Sequence, residues 1–565
     1  MSLQENQGIA ATRESAEDTL PQSSELAAFP CKSYDKRSLS ASAQVLIFGA
    51  ILIFILVLHF PLLGLPYIWD EAGYYIPAAR DLFQAGSLIP HSTLSNAHPP
   101  LVMAWMAAAW KIAGFRPVVT RIAMLVLAAF TLMGIFRLAA WVANTQVAVA
   151  STISMAVYPV FFAQSSLAQL DVAAAGFTCW GLQSYLKEPS WITVAWFSLA
   201  ALSKETAILA PLAIFAWTLI ARWKRWSVAC HPTHRGPARD AAILLAPMLP
   251  LLAWFSYHYA HTGHVFGNPE FFQYNVTATL HPLRIVLAAA LRIWQLTGYM
   301  NLWLLTAAGM MALYLPPLRD ALDVRRRIPV PVQGLFVAVI ACYVLTMAVI
   351  GGAVLARYML PVLPLIVILW TSTLWRRVSG WWFVMLIVCV AFVAAWFVNP
   401  PYGFPFEDNL AYRDYIVLHK DAAQFLVEHR PTARVLTAWP ASDELTRPYL
   451  GYVNAPFRVV RLEDFSLEQV MSAADARSQF DVALMFSTKY EPAHPLLDQW
   501  REWQRIKTEF FGFHRDLPPA AAAQILAGEL IYSGSRNGQW IAVIEVPHAI
   551  EASARQLSYG RPARR

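Results

Sequence analysis

Between residues 43 and 400 the chain alternates long apolar runs with short polar stretches. The runs fall at 43–64, 117–141, 146–163, 172–187, 190–202, 204–222, 241–261, 298–316, 331–352, 356–375 and 380–398. Most approach the roughly 20 residues that a helical span of a bilayer needs. The stretch 190–202 is short and requires neighbours to reach across. Residues 99–114 are shorter than a span, carry Lys111 and are rich in Trp and Met, so they predict an amphipathic helix lying in the interface. Three basic clusters, Arg222-Trp223-Lys224-Arg225, Arg325-Arg326-Arg327 and Arg376-Arg377, share one side only if 99–114 does not cross. With those clusters inside, eleven spans result, with the N-terminus inside and the C-terminal region outside.

After Pro400-Pro401 and Gly403 the pattern changes. Strand-like runs at Arg434–Trp439, Phe457–Leu462, Phe480–Ser487 and Trp540–Val546 alternate with helical patterns at Tyr412–Glu428 and Leu467–Ala476. Such alternation predicts a small α/β domain. The predicted organisation is a polar N-terminal tail (1–42), a transmembrane domain (43–400) and an extracytoplasmic α/β domain (401–565). The fold class is an all-α polytopic membrane protein with a C-terminal α/β soluble domain.

Composition agrees with this class: 57% of the 565 residues are hydrophobic and 14% charged, with 22 tryptophans. The net charge of +7 comes from loop Lys and Arg and does not suggest nucleic acid. Five cysteines, Cys31, Cys179, Cys230, Cys342 and Cys389, show no metal-binding spacing, and the C-terminal region needs no disulfide. The first apolar run is too long for the core of a cleavable signal.

The parity sorts Asp70, Glu71, Arg80, His98, Asp171, Lys204, Glu205 and Arg357 to the outer face. Ionisable groups at a membrane boundary mark chemistry by default. Asp70 is placed to accept a proton from an attacking hydroxyl or amine, or, equally open, to cap the helix that follows. His98 precedes Pro99-Pro100 at the start of the interfacial helix and suits a phosphate, or is an ordinary interfacial histidine. Asp171 orients a substrate or caps its span. Lys204 faces an anionic head group or snorkels. Arg357-Tyr358 opens a span carrying Pro361 and Pro364, and arginine suits bidentate phosphate recognition. No nucleotide fingerprint is present, so two cations and a carboxylate pair on one face suggest a lipid-linked phosphate donor.

Trp69-Asp70-Glu71 with Tyr74, Ala79-Arg80 and Gly86, then His98-Pro99-Pro100-Leu101, resembles the first outer loop of family 39-type glycosyltransferases. These are GT-C membrane enzymes related to protein O-mannosyltransferases and to the aminoarabinose transferases that modify lipid A. Gln164-Ser165-Ser166 through Asp171, Ser203-Lys204-Glu205 and Arg357-Tyr358 match later landmarks in order, over residues 43 to 400. The resemblance implies a GT-C fold and transfer, with inversion, of a sugar from a polyprenyl-phosphate donor at the outer face. It makes Asp70 the catalytic group, Glu71, Tyr74 and Asp171 acceptor-binding, and His98, Lys204, Arg357 and Tyr358 donor-phosphate-binding; Glu71 is equally open to being a structural or hydrogen-bonding neighbour of Asp70. In some relatives a lysine stands at the His98 position. No cofactor is required; some members bind a divalent metal on the outer side, and no ligand cluster here compels one. The C-terminal region is not the β-trefoil of the eukaryotic mannosyltransferases, so a protein acceptor does not follow. The partners implied are the lipid-linked sugar, membrane lipids and an unassigned lipid, glycan or protein acceptor. The place implied is the inner membrane of a bacterium, with the site facing the periplasm.

Two rival readings differ in class. A transporter or flippase for a lipid-linked or anionic solute predicts charges near the midplane and a repeated half, neither of which the sequence displays. A non-catalytic receptor predicts that the first-loop acids are dispensable.

Overall fold

The computed structural model describes residues 40–547, apart from 224–236, 268, 270–272, 274, 275, 277, 278, 321–323 and 494–497. Nearly all of the polar tail, and Lys224-Arg225 of one basic cluster, lie outside the described residues.

The first half is built from α1 (Ala41–His59), α2 (Ile76–Ala85), α3 (Leu101–Ala113), α4 (Pro117–Val142), α5 (Thr145–Val157), α6 (Pro159–Ser166), α7 (Asp171–Lys187), α8 (Trp191–Ser203), α9 (Leu209–Trp223), α10 (Pro237–Leu245) and α11 (Met248–Thr262). Apolar helices follow at Pro282–Thr297, Leu302–Leu313, Val330–Val349, Leu363–Arg377 and Trp381–Phe397. Local chemistry sets several starts. The Ser40 hydroxyl accepts from the Ala43 amide at 3.2 Å, and Asn144 Oδ1 accepts from Val147 at 2.9 Å, each satisfying a free N-terminal donor. Pro117 and Pro159 open α4 and α6, where a missing N–H costs nothing.

Among the described residues, five helices are long and apolar enough to cross a membrane, or six if the bent pair α5–α6 counts as one span. The chain is thus a multi-pass membrane protein. The remaining apolar helices are shorter, α8 among them. It packs along α7, where a Cβ on Gly181 would lie 2.6 Å from the Phe197 ring. The approach requires glycine.

The break between α5 and α6 turns the chain by 68° at Pro159. It delivers Gln164, Ser165 and Ser166, all buried, to the end of the bundle where the charged groups meet. Helix α3 covers the expected interfacial stretch and buries one face through Val102, Met103, Met106, Ala107 and Trp110. The helix Pro282–Thr297 was not among the predicted elements. It buries Arg284, Ala288 and Arg292, spaced four apart on one face, so its inward stripe is partly cationic and escapes a reading based on apolar periodicity.

Beyond residue 400, Ala411–His429 is helical and five strands form one sheet, β1 (Arg434–Ala438), β2 (Arg458–Leu462), β3 (Val482–Phe486), β4 (Glu529–Arg536) and β5 (Gln539–Glu545). The order is β2-β1-β3-β5-β4. The first three are parallel and the last two antiparallel. The uninterrupted apolar run of β3 is buried throughout, as a strand covered on both faces requires. Strand β4 was not predicted, because Ser533, Gly534, Ser535 and half-exposed positions dilute its alternation. The sheet packs onto the first loop of the helical part. Tyr67 N donates to Leu450 O at 3.3 Å and the Tyr452 hydroxyl to Tyr67 O at 3.0 Å.

Candidate active site

The loop after α1 enters through Trp69, whose φ of 45° is left-handed, a conformation costing a non-glycine residue roughly 1–2 kcal/mol. Asp70 follows, and then a π-helical turn, Glu71–Tyr75, a local form often found at functional sites. The side chain of Asp70 makes no capping bond to this turn. Instead its Oδ2 accepts a hydrogen bond from Nη2 of Arg357.

Arg357 organises the site. Its Nη1 donates to Glu407 Oε2, and its Nε lies 3.6 Å from Asp171 Oδ2. The other Asp171 oxygen accepts from Lys204 Nζ at 2.6 Å. Lys204 sits over the Tyr358 ring at 3.9 Å, with Arg292 and Arg357 at 5.5 and 5.7 Å from the same centroid. Three cations thus lie around one aromatic ring. Of the carboxylates on Arg357, Asp70 is 29% exposed, Asp171 3% and Glu407 7%. An incoming molecule can therefore reach Asp70 more readily than the other two.

The structure brings together Asp70, Asp171, Lys204, Arg357 and Tyr358. His98 stands at the edge, with Nδ1 2.8 Å from Glu205 Oε2 and its ring 6.0 Å from Tyr75. The loop carrying it is pinned by Trp254 Nε1, which donates to Ala97 O at 2.9 Å, and by His258 Nε2 at 2.8 Å from the Ser95 hydroxyl. Tyr74 lies against Trp439 of the sheet region, ring centroids 6.2 Å apart. Arg80 covers the Tyr449 ring at 4.5 Å, away from the Arg357 cluster's own contacts.

Glu71 turns away from the Arg357 cluster. It is wholly buried, and Arg121 grips both its oxygens, Nη1 on Oε1 and Nη2 on Oε2 at 3.0 Å. The amides of Ile68 (3.1 Å) and Ala168 complete its shell. With these donors in place and no exposure, Glu71 ties the first loop to α4 and to the turn after α6. Arg121 also donates to Ser166 O at 3.0 Å and Pro66 O at 2.8 Å.

Four buried ionisable residues here are not singled out by the sequence: Glu407, Asp408, Arg292 and Arg121. Glu407 lies shortly after Pro400-Pro401 and Gly403; its signal is an acid pair, Glu407-Asp408, following the last apolar run, the same cue that marks Asp70-Glu71. Its Oε1 accepts from Gln169 Nε2 at 3.1 Å. Burial pushes its carboxyl up, to about 8, against the pull of Arg357. Asp408, which accepts from the Tyr299 hydroxyl at 2.6 Å, is likewise pushed up by burial, to about 7. Arg292 donates from Nη1 to Leu355 O at 2.6 Å and Gln295 Oε1 at 2.9 Å, while its buried Nη2 has no hydrogen-bond partner among the described residues. Arg121 was passed over as one basic residue inside an apolar run.

Residues 97–254 match the family described as dolichyl-phosphate-mannose-protein mannosyltransferase. This is the superfamily that the sequence landmarks resemble. The matched segment carries His98, Asp171 and Lys204; Asp70 and Arg357 lie outside it. No curated protein sequence matches the chain. Among solved structures, similarity is found to ArnT from Cupriavidus metallidurans bound to undecaprenyl phosphate, at 14% identity over 90% of this chain and 99% of that one, with a TM-score of 0.49. The S. cerevisiae protein O-mannosyltransferase Pmt1–Pmt2 complex bound to the sugar donor matches at 17% identity over 43% of this chain and 37% of that chain, TM-score 0.31. The Archaeoglobus fulgidus oligosaccharyltransferase in complex with Zn and sulfate matches at 11% identity, 88% and 72% coverage and TM-score 0.42.

Among the described residues no group of three His, Cys, Asp or Glu side chains is arranged to hold a metal ion. The carboxylates that converge here are bound to Arg357 and Lys204, cations that oppose a divalent ion. The donor set around Arg357 and Lys204 does not fit a metal.

Proposed function

We propose that this protein is a glycosyltransferase that moves a sugar from a polyprenyl-phosphate-linked donor to a lipid, glycan or protein acceptor, with inversion, at the outer face of a bacterial inner membrane. The observation that carries the reading is the half-exposed Asp70 carboxylate held on the Arg357 guanidinium, beside the cations around Tyr358. The eleven-span topology, with residues 43–400 forming the membrane domain and the sheet region outside, belongs to the same proposal.

In the reaction an acceptor oxygen or nitrogen attacks the anomeric carbon from the face opposite the phosphate. The carbon–oxygen bond to phosphate breaks, its electron pair stays on the phosphate oxygen, and the acceptor proton passes to Asp70. A single displacement inverts the configuration. Lys204 and Arg357, with Arg292 and His98 alongside, stabilise the charge gathering on the phosphate, the usual dominant electrostatic contribution in such sites. Asp171 bridges Lys204 and Arg357 and sets their spacing. Tyr358 orients the cations by its ring face, and Tyr74 borders the acceptor side.

The test is a deletion strain of the host analysed for envelope lipids and glycans. The expected result is loss of one sugar modification with accumulation of its polyprenyl-phosphate carrier, restored by the wild-type gene and not by Asp70→Asn. An unchanged envelope, or full rescue by Asp70→Asn, overturns the proposal.

A further inference from the structure

The sheet region meets the Asp70 loop along several contacts, and the one nearest Asp70 is made by Trp439 on Trp69. In an α/β sheet the crevice beyond the carboxyl ends of the parallel strands, where the strand order reverses, is the usual place for a ligand. Here that point lies between β1 and β3, and Trp69 of the first loop lies beside the residue that follows β1. Trp439, the residue immediately after β1, lies 5.1 Å from the Trp69 ring. Tyr415 stacks on Trp69 at 5.8 Å and meets Phe486, the last residue of β3, edge-on at 6.0 Å. Trp69 is therefore held against the end of β1 by Trp439 and, through Tyr415 of the helix Ala411–His429, backed by the end of β3; it is the residue with left-handed backbone directly before Asp70.

The grip continues along the following segment. Arg447 donates to Ala72 O at 3.3 Å and to Ser92 O at 3.1 Å. A Cβ on Gly73 would fall 2.8 Å from Trp439 Nε1, so glycine is needed for the indole to lie against the π-helical turn. Behind Tyr415, His419 stacks at 3.8 Å, and its Nδ1 is 2.7 Å from Glu444 Oε2. The ring that backs Trp69 is itself fixed by a buried pair.

We propose that Trp439 and Tyr415 are positioning residues: by clamping Trp69 they hold the unfavourable backbone there and so aim the Asp70 carboxylate at Arg357. A residue in a sparsely populated conformation persists only where its surroundings over-determine it, and the rings against Trp69 come from the C-terminal region, Tyr415 from its first helix and Trp439 from the residue after β1. The sheet region thereby becomes part of the machinery for the transfer step. This inference rests on the glycosyltransferase reading for its activity arm only.

The test compares Trp439→Ala, Trp439→Phe and Gly73→Ala in the purified full-length chain, with two readouts. One is steady-state sugar transfer from a polyprenyl-phosphate sugar. The other is amide hydrogen exchange over residues 66–75, which needs no activity. For Trp439→Ala the expected result is a fall in kcat of at least about tenfold, with KM for the donor within about twofold, and exchange over 66–75 faster by at least about tenfold while α4 is unchanged. Trp439→Phe is expected to restore most of both, and Gly73→Ala to reproduce the alanine phenotype. If Trp439→Ala raises KM with kcat intact, the ring is a substrate contact and the proposal fails. It fails equally if kcat falls without faster exchange, or if exchange rises and kcat holds. Should the variant not fold, Trp439→Phe and Gly73→Ala decide by the same criteria. If the wild-type chain transfers no sugar, the functional reading falls, and unchanged exchange in Trp439→Ala would separately remove the clamp.

Discussion

Asp70 and Arg357, 287 residues apart in the chain, are joined side chain to side chain. The arginine enters from the turn before a proline-containing helix and the aspartate from the first loop. The bond closes the helical bundle around the place where the proposed chemistry occurs.

Asp70→Asn keeps the size of the side chain and removes its capacity to take a proton. Transfer is expected to fall by roughly 10²–10⁴-fold, with donor binding retained within about threefold. Rate and donor-affinity measurements on the purified variant check this; a near-normal rate would remove Asp70 as the base.

Arg357 serves Asp70 and Glu407 with two different nitrogens of one planar fork. Lysine offers a single point charge and cannot hold both. Arg357→Lys is expected to lower kcat by about a hundredfold, a scale typical of losing one preorganised electrostatic donor. Activity within about threefold of wild type would show that the fork is not needed.

The Glu71–Arg121 pair is buried on both sides. Arg121→Met leaves an unpaired carboxylate in the interior, and removing one partner of such a pair costs about 3–5 kcal/mol. The expected outcome is a sharp loss of monodisperse protein and a lowered unfolding midpoint, partly recovered in the Glu71→Met, Arg121→Met double variant. A single variant as stable as wild type would refute a structural role for the pair.

Asp408 keeps its proton up to about pH 7 in the folded chain, because burial disfavours its charge; unburied, its pKa is 3.8. As pH rises through that interval the unfolded chain releases a proton that the folded chain retains, so rising pH favours unfolding. Stability is expected to decline from about pH 4 to about pH 7 and then to level off as far as this group is concerned. Asp408→Asn should flatten the slope of the unfolding midpoint across that window. An identical slope in the variant would assign the pH dependence to other groups, Glu407 first.

Much of the site was legible residue by residue. Asp70, Asp171, Lys204 and Arg357 were each visible as charges where apolar runs end, since a membrane makes an ionisable group conspicuous. Their mutual contacts were not visible, because each bond depends on how helices far apart in sequence pack. Glu71 shows the limit most clearly. It shares Asp70's sequence context, yet one points to Arg357 and the other to Arg121. Adjacent residues on a turn face different ways, and sequence does not say which neighbour awaits each.

By itself the sequence determined the membrane class, the places of most apolar helices, Pro282–Thr297 excepted, and four of the five strands, because hydrophobic periodicity and turn residues act locally. It also located the charged groups at the ends of spans. Only the tertiary structure decided that Glu407 and Arg292 join those groups, that Glu71 leaves them, and that Trp439 lies against Trp69. These outcomes follow from which faces meet across long separations, and side-chain burial and charge pairing are properties of that meeting, not of either segment alone.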